Sequence, residues 1–209
     1  MGTRAAVLVL LLHGTAYADQ AYGRFQLTFY WVADERDAPG TMNAYLYDAT
    51  CAVLGVTTMR FLRSLALEGT GLLTDGRRLN FDARCVCGYF GVPCFREVTS
   101  DIWGLGVEGR HLRPFRSVAS DPAVVPTGTV LYIPDLDGVE MPGEPPWGGF
   151  VHDGCVVADD RGGAIGGMQL DFFVGRKDVY KVVDKRLRRP EVWVYDGAEH
   201  CGERAEQQC

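Results

Sequence analysis

The chain has 209 residues, of which 47% are hydrophobic, 26 are glycine and 10 are proline, and its formal net charge is −6. This is enough apolar material for one globular core. The 21 Lys and Arg residues form no dense run, with only 185–189 locally basic, so a nucleic-acid partner, which needs a concentrated basic face, is discounted.

The first element in chain order is an export signal. Arg4 supplies the positive start, Ala5–Leu12 the apolar stretch and Ala16-Tyr17-Ala18 a small-x-small cleavage pattern. The apolar run is too short to span a bilayer, which takes about 20 residues, and no cysteine follows Ala18 to carry a lipid. The reading predicts a signal peptide over 1–18, cleavage near Ala18, a periplasmic or extracellular product without a membrane anchor, one domain over 19–198 and a polar tail over 199–209.

In 25–32 the large apolar residues Phe25, Leu27, Phe29 and Trp31 alternate with smaller or polar ones, which predicts a strand with one buried face. A turn follows over 33–41, then two short strands over 44–57 broken near Asp48. Residues 59–68 carry a helical stripe of Phe61, Leu62, Leu65 and Ala66, with Thr58 as N-cap and Gly69 as the terminating glycine. Gly69-Thr70-Gly71 and Asp75-Gly76 bracket a hairpin, and 84–96 has no periodicity. Further strands are expected at 129–133, 151–158, 169–174 and 192–195, with a short helix at 178–185. Many short strands, abundant Gly and Pro turns and no βαβ rhythm predict a small β-barrel.

All seven cysteines, at 51, 85, 87, 94, 155, 201 and 209, follow the export signal. In an oxidising compartment such a set reads as disulfides, with one thiol left over. The competing reading is zinc on Cys85, Cys87 and Cys94, with the run His152-Asp153-Gly154-Cys155 offering two more ligand types, but Cys-x-Cys is tighter than the usual ligand spacing. No metal is expected.

Two aspartates are the candidates for chemistry, the alternative being that both accept backbone N–H bonds and pin the turns of the barrel. Asp160 precedes a double glycine, and Asp171 lies in a strand between Leu170 and Phe172. A carboxyl among bulky apolar groups is costly to ionise and tends to a raised pKa, which suits a proton donor at neutral pH. Asp121, beside Pro122, reads as a turn-pinning carboxylate.

The run from Asp160 to Gly175, with Gly162-Gly163-Ala164-Ile165-x-Gly167 and then Asp171-Phe172-Phe173-Val174-Gly175, resembles the signature of the MltA-like lytic transglycosylases. The segment 116–129, with Asp121-Pro122, and the strand 191–195 are similar to other parts of that family's pattern, as is 25–30 to the opening strand of 3D (three-aspartate) proteins. The resemblance spans roughly 115–196. It implies a mainly β, six-stranded double-psi β-barrel with short helices and a disulfide-pinned N-terminal insertion.

It further implies a peptidoglycan-cleaving lyase acting on glycan strands as a monomer, without cofactor. Asp171 is then the acid/base, Asp160 its catalytic partner and Asp121 a supporting group. Thr28, Tyr30, Trp147, Gly162 and Gly163 are the candidate substrate-binding residues. Glu68 either lines the cleft or merely ends its helix, the second being the simpler reading. The region between Tyr30 and Arg116 is too short for the second domain that walls the glycan groove in MltA. Two alternatives therefore stand: an expansin-like module that binds cell-wall glycan without cutting it, and a hydrolase using Asp171 with Asp160.

Overall fold

The computed structural model describes residues 20–88 and 93–202, so the expected export signal and Cys209 lie outside the described residues. In chain order the described elements are β1 (Ala21–Tyr30), β2 (Ala33–Asp34), β3 (Met42–Tyr47), β4 (Val53–Thr58), α1 (Met59–Glu68), β5 (Thr70–Leu72), β6 (Arg78–Ala83) and β7 (Cys94–Glu97). They continue with β8 (Ser117–Ser120), β9 (Val130–Tyr132), β10 (Cys155–Asp160), β11 (Gln169–Phe173), α2 (Lys177–Leu187), β12 (Glu191–Asp196) and α3 (Ala198–Cys201).

Six strands close into a barrel in the order β1-β11-β8-β10-β9-β12. Two of its pairings, β1 with β11 and β8 with β10, are parallel, and the other four are antiparallel. The expected closed, mainly β architecture is present. Alternation decides what fills it: Phe25, Leu27, Val118, Leu131, Val156, Ala158, Leu170, Phe172, Val192 and Val194 all enter one buried cluster. On β1, Phe25 and Leu27 are buried, whereas Phe29 and Trp31 are only partly so and pack on Tyr180 of α2, with ring centroids 5.6 and 5.3 Å away.

The insertion between β1 and β8 builds its own layer. A four-stranded sheet, β2-β5-β6-β7, and the hairpin β3-β4 pack with α1 around a second core of Leu46, Phe61, Leu62, Leu65, Leu79 and Phe95. The helix has the expected ends: the Thr58 hydroxyl accepts the Phe61 N–H at 3.1 Å, and Gly69 takes the left-handed conformation with its N–H on the Leu65 carbonyl.

Three disulfides join Cys51 to Cys87, Cys85 to Cys94 and Cys155 to Cys201. The sulfurs of Cys85, Cys87 and Cys94 do lie within 4.8 Å of one another, but each is already bonded to another sulfur. Among the described residues, no helix is long and apolar enough to cross a membrane.

Three local expectations need adjustment. The strand expected over 151–158 starts later, at Cys155, and runs on to Asp160. Gly154 adopts a positive φ of 78° and turns the chain there, its N–H donating to Nδ1 of the buried His152. The region 84–96, expected to be irregular, ends in β7, because Cys94 and Phe95 enter the second sheet's core. The C-terminal tail begins with α3, held by the Cys155–Cys201 bond with Cys201 fully buried.

Candidate active site

The register of four adjacent strands places the candidate residues in one row. Thr28 on β1 pairs with Asp171 on β11, Asp171 pairs with Ala119 on β8, and Ala119 pairs with Asp160 on β10. Strands lie about 4.8 Å apart, so the two aspartate backbones stand about 10 Å from each other with only the small Ala119 between. Leu170 and Phe172 point into the barrel, so Asp171 projects from its outer wall. On β10 a register shift between Ala158 and Asp160 separates the two consecutive carboxylates. Asp159 is 1% exposed and is held by the Arg110 Nε and the Ser117 hydroxyl, each at 2.7 Å, whereas Asp160 joins the row.

An apolar rim surrounds the row. Tyr30, Leu112, Ala119 and Phe173 form a small buried cluster, with Val32, Trp103 and Ile165 packed against it. Burial is the main reason that the Asp171 carboxyl is pushed up to about 6, opposed by the neighbouring Thr28 hydroxyl. Its Oδ1 is buried without a hydrogen-bond partner. Asp160 is pushed up to about 7, again chiefly by burial. The Arg161 N–H, donated at 2.8 Å, and the Tyr30 hydroxyl oppose that shift, while the Asp159 and Asp171 charges add to it. The Tyr30 hydroxyl is close enough to interact with Asp160 but makes no hydrogen bond of ordinary geometry, and burial raises its own pKa well above the usual value.

The remaining candidates take distinct places. Trp147 is edge-on to Trp103 (centroids 5.9 Å), Trp103 to Phe173 (6.2 Å), and Phe173 is tilted against Tyr30 (4.9 Å), so aromatic rings run from the Trp147 loop to the carboxylates. Gly162 and Gly163 lie in the crossover from β10 to β11. A Cβ at Gly162 would come within 2.4 Å of the Ile165 side chain, whereas one at Gly163 would meet nothing within 4 Å. Asp121 is not one of the high-pKa carboxylates. Its oxygens accept the Ala123 N–H at 2.9 Å and the Gly167 N–H at 2.8 Å, and the Gly167 bond above all lowers its pKa. It ties β8 to the end of the crossover loop, the turn-pinning role. His152 is also structural: Nε2 meets the Phe115 carbonyl at 2.6 Å, and burial lowers its pKa to about 4.

Two residues were underweighted in the sequence. Asp159 carries the buried anchor of β10, and its only sequence signal was a second carboxylate beside Asp160 at a strand end. Glu68, at the end of α1, reaches the barrel: its Oε2 accepts the Trp31 N–H at 3.1 Å, and burial raises it to about 7, with the Asp171 charge adding and Lys177 opposing.

Comparison with known proteins bears on the fold. Residues 116–186 match the model of the 3D domain family. Among solved structures, the chain is similar to Escherichia coli MltA with bound chitohexaose, at 16% identity over 84% of this chain and 72% of that one, with a TM-score of 0.54, which shows a shared fold. It also matches a membrane-bound lytic murein transglycosylase from Agrobacterium tumefaciens, at 13% identity over 86% and 76% of the two chains, with a TM-score of 0.47. No curated protein matches the sequence.

Proposed function

We propose that this chain, which carries a 3D domain over residues 116–186, is an exported lytic transglycosylase that cleaves the β-1,4 bond between N-acetylmuramic acid and N-acetylglucosamine in peptidoglycan. Asp171 is its acid and base. The observation that carries this reading is the state of the Asp171 carboxyl: raised to about 6, set in an apolar rim and holding one oxygen without a partner. Such a group gives up and regains its proton close to neutrality, as a carboxyl that serves first as acid and then as base requires.

In the first step Asp171 donates its proton to the glycosidic oxygen as the bond to C1 breaks. The carboxylate so formed then takes the proton of the muramoyl C6 hydroxyl as that oxygen closes on C1. A 1,6-anhydro ring results, no water is consumed, and Asp171 ends protonated as it began. One carboxyl suffices because the nucleophile is already held in the substrate. Asp160, two strands away, supplies negative charge towards the sugar ring when ionised. The aromatic run from Trp147 to Tyr30 offers faces on which sugar rings pack. Three disulfides support an oxidising compartment.

Mass spectrometry of purified sacculi incubated with the protein tests the reading. Anhydromuramoyl ends are expected. Reducing ends carrying ¹⁸O from labelled water indicate a hydrolase, and intact sacculi that retain the protein indicate a binding module.

A further inference from the structure

We propose that Glu68 is a substrate-positioning residue, brought to the cleft by the insertion, whose second carboxylate oxygen accepts a hydrogen bond from the amide N–H of an N-acetylated sugar. This rests on the proposed function above and adds to it a recognition group outside the barrel.

Glu68 is the last residue of α1, and the helix is fixed on both sides of it. Phe61, Leu62 and Leu65 are fully buried in the insertion core, and the Gly69 carbonyl accepts the Phe81 N–H at 2.6 Å. The side chain leaves the insertion and bonds the barrel: Oε2 accepts the backbone N–H of Trp31, which follows Tyr30 at the end of β1. That strand carries Thr28 opposite Asp171. Glu68 is near enough to Asp171 and Lys177 to feel both charges.

Local stability does not account for a carboxylate here. A negative charge at a helix C-terminus opposes the helix dipole, and Asp171 adds like-charge repulsion. Glutamine would keep the bond to Trp31 without either cost. The two oxygens also differ in use. Oε2 is occupied, whereas no described residue donates to Oε1, and Oε1 is not among the polar atoms sealed from solvent without a partner. It therefore reaches solvent, beside the strand that carries Thr28 opposite Asp171. Glu68 is raised to about 7, and an N–H donor at Oε1 draws it to the ionised form, which only accepts hydrogen bonds. A sugar hydroxyl can turn to donate or accept, but an acetamido N–H always donates, and the proposed substrate carries an acetamido group on every ring.

The test uses the full mature chain with Asp171→Asn, which is expected not to cleave. Calorimetric titration with chitohexaose and with a glucose hexamer is compared with the same chain also carrying Glu68→Gln or Glu68→Ala. In Glu68→Gln the side-chain carbonyl still serves Trp31 and the cost of the buried charge is gone, so the melting temperature does not fall, but an NH₂ now faces the sugar N–H. Chitohexaose affinity is expected to fall roughly tenfold or more, as for loss of a hydrogen bond to a charged group, with little change for the glucose hexamer. In the cleaving chain, Glu68→Gln is expected to raise KM more than it lowers kcat. Undiminished preference for chitohexaose in Glu68→Gln overturns the inference, even if wild-type protein generates anhydromuramoyl ends. Absence of both cleavage and chitohexaose binding in the wild type overturns the proposed function and this inference with it.

Discussion

At the scale of single residues, the proposed mechanism separates the two aspartates by the fate of one proton. Asp171→Asn can neither donate an acidic proton nor accept one, and general acid–base assistance is typically worth about 10²–10⁴-fold. The expected outcome is a folded protein whose release of anhydromuropeptides from sacculi falls to or beyond the upper end of that range. Asp160→Asn removes a charge and a hydrogen-bond acceptor rather than the proton carrier, so its rate should fall less. Equal rates for Asp171→Asn and wild type would remove Asp171 from the mechanism. Under the proposed mechanism Asp171 begins protonated, and its pKa is about 6, so kcat/KM should decline as pH rises above that value.

At the scale of elements, the close approach of Gly106 to β10 holds the carboxylate row in place. A Cβ at Gly106 would sit 2.2 Å from the Asp159 carbonyl oxygen, a backbone atom that cannot swing away. The same strand is anchored by Arg110 and Ser117 on the Asp159 carboxylate. Gly106→Ala should therefore displace β10 and lower both the melting temperature and activity. Gly69→Ala, where nothing lies within 4 Å but φ is 78°, should cost only about 1–2 kcal/mol. Similar melting temperatures for the two variants would argue against the close packing of the 106 loop on β10.

Across the whole molecule, the buried acids set the pH dependence of stability. Asp160 and Glu68 titrate at about 7 and Asp171 at about 6 in the folded protein, against about 4 when unfolded. The folded state therefore binds more protons between pH 4 and 7, and stability is lost as pH rises through that range. His152, lowered to about 4, acts in the opposite direction: below about 6.5 the unfolded histidine takes a proton that the folded one refuses. From pH 6.5 to 8 the raised carboxyls act without this opposition, so the melting temperature should fall over that interval. Asp160→Asn should shrink the fall, and a flat profile in wild type would contradict the burial of these acids. Three disulfides account for six cysteines, which leaves Cys209. Alkylation of unfolded, unreduced protein should therefore detect one thiol per chain, or none if it pairs between molecules. Five or more would favour the metal reading.

The sequence by itself determined what depends on neighbours along the chain. Period-2 alternation at 25–31 and 169–174 identified strands and put Asp171 on the face opposite to Leu170 and Phe172, because successive strand residues must point to opposite sides, while the closed barrel decided which face is inward. Thr58 and Gly69 marked the ends of α1 because capping is settled within one helical turn. The Asp160–Gly175 run marked the segment that matches the 3D family model. Tertiary structure alone decided which strands became neighbours. The alignment of Thr28, Asp171, Ala119 and Asp160 depends on β1, β8 and β10 meeting around β11 from distant parts of the chain, and no local pattern encodes that register. Placement also separated the acids that composition had grouped: Asp121 met backbone N–H groups and was lowered, Asp159 met Arg110, and Asp160, Asp171 and Glu68 met apolar walls and were raised. A carboxyl's chemistry follows from its solvation and its partners, and these exist only once the barrel has closed and the insertion has packed beside it.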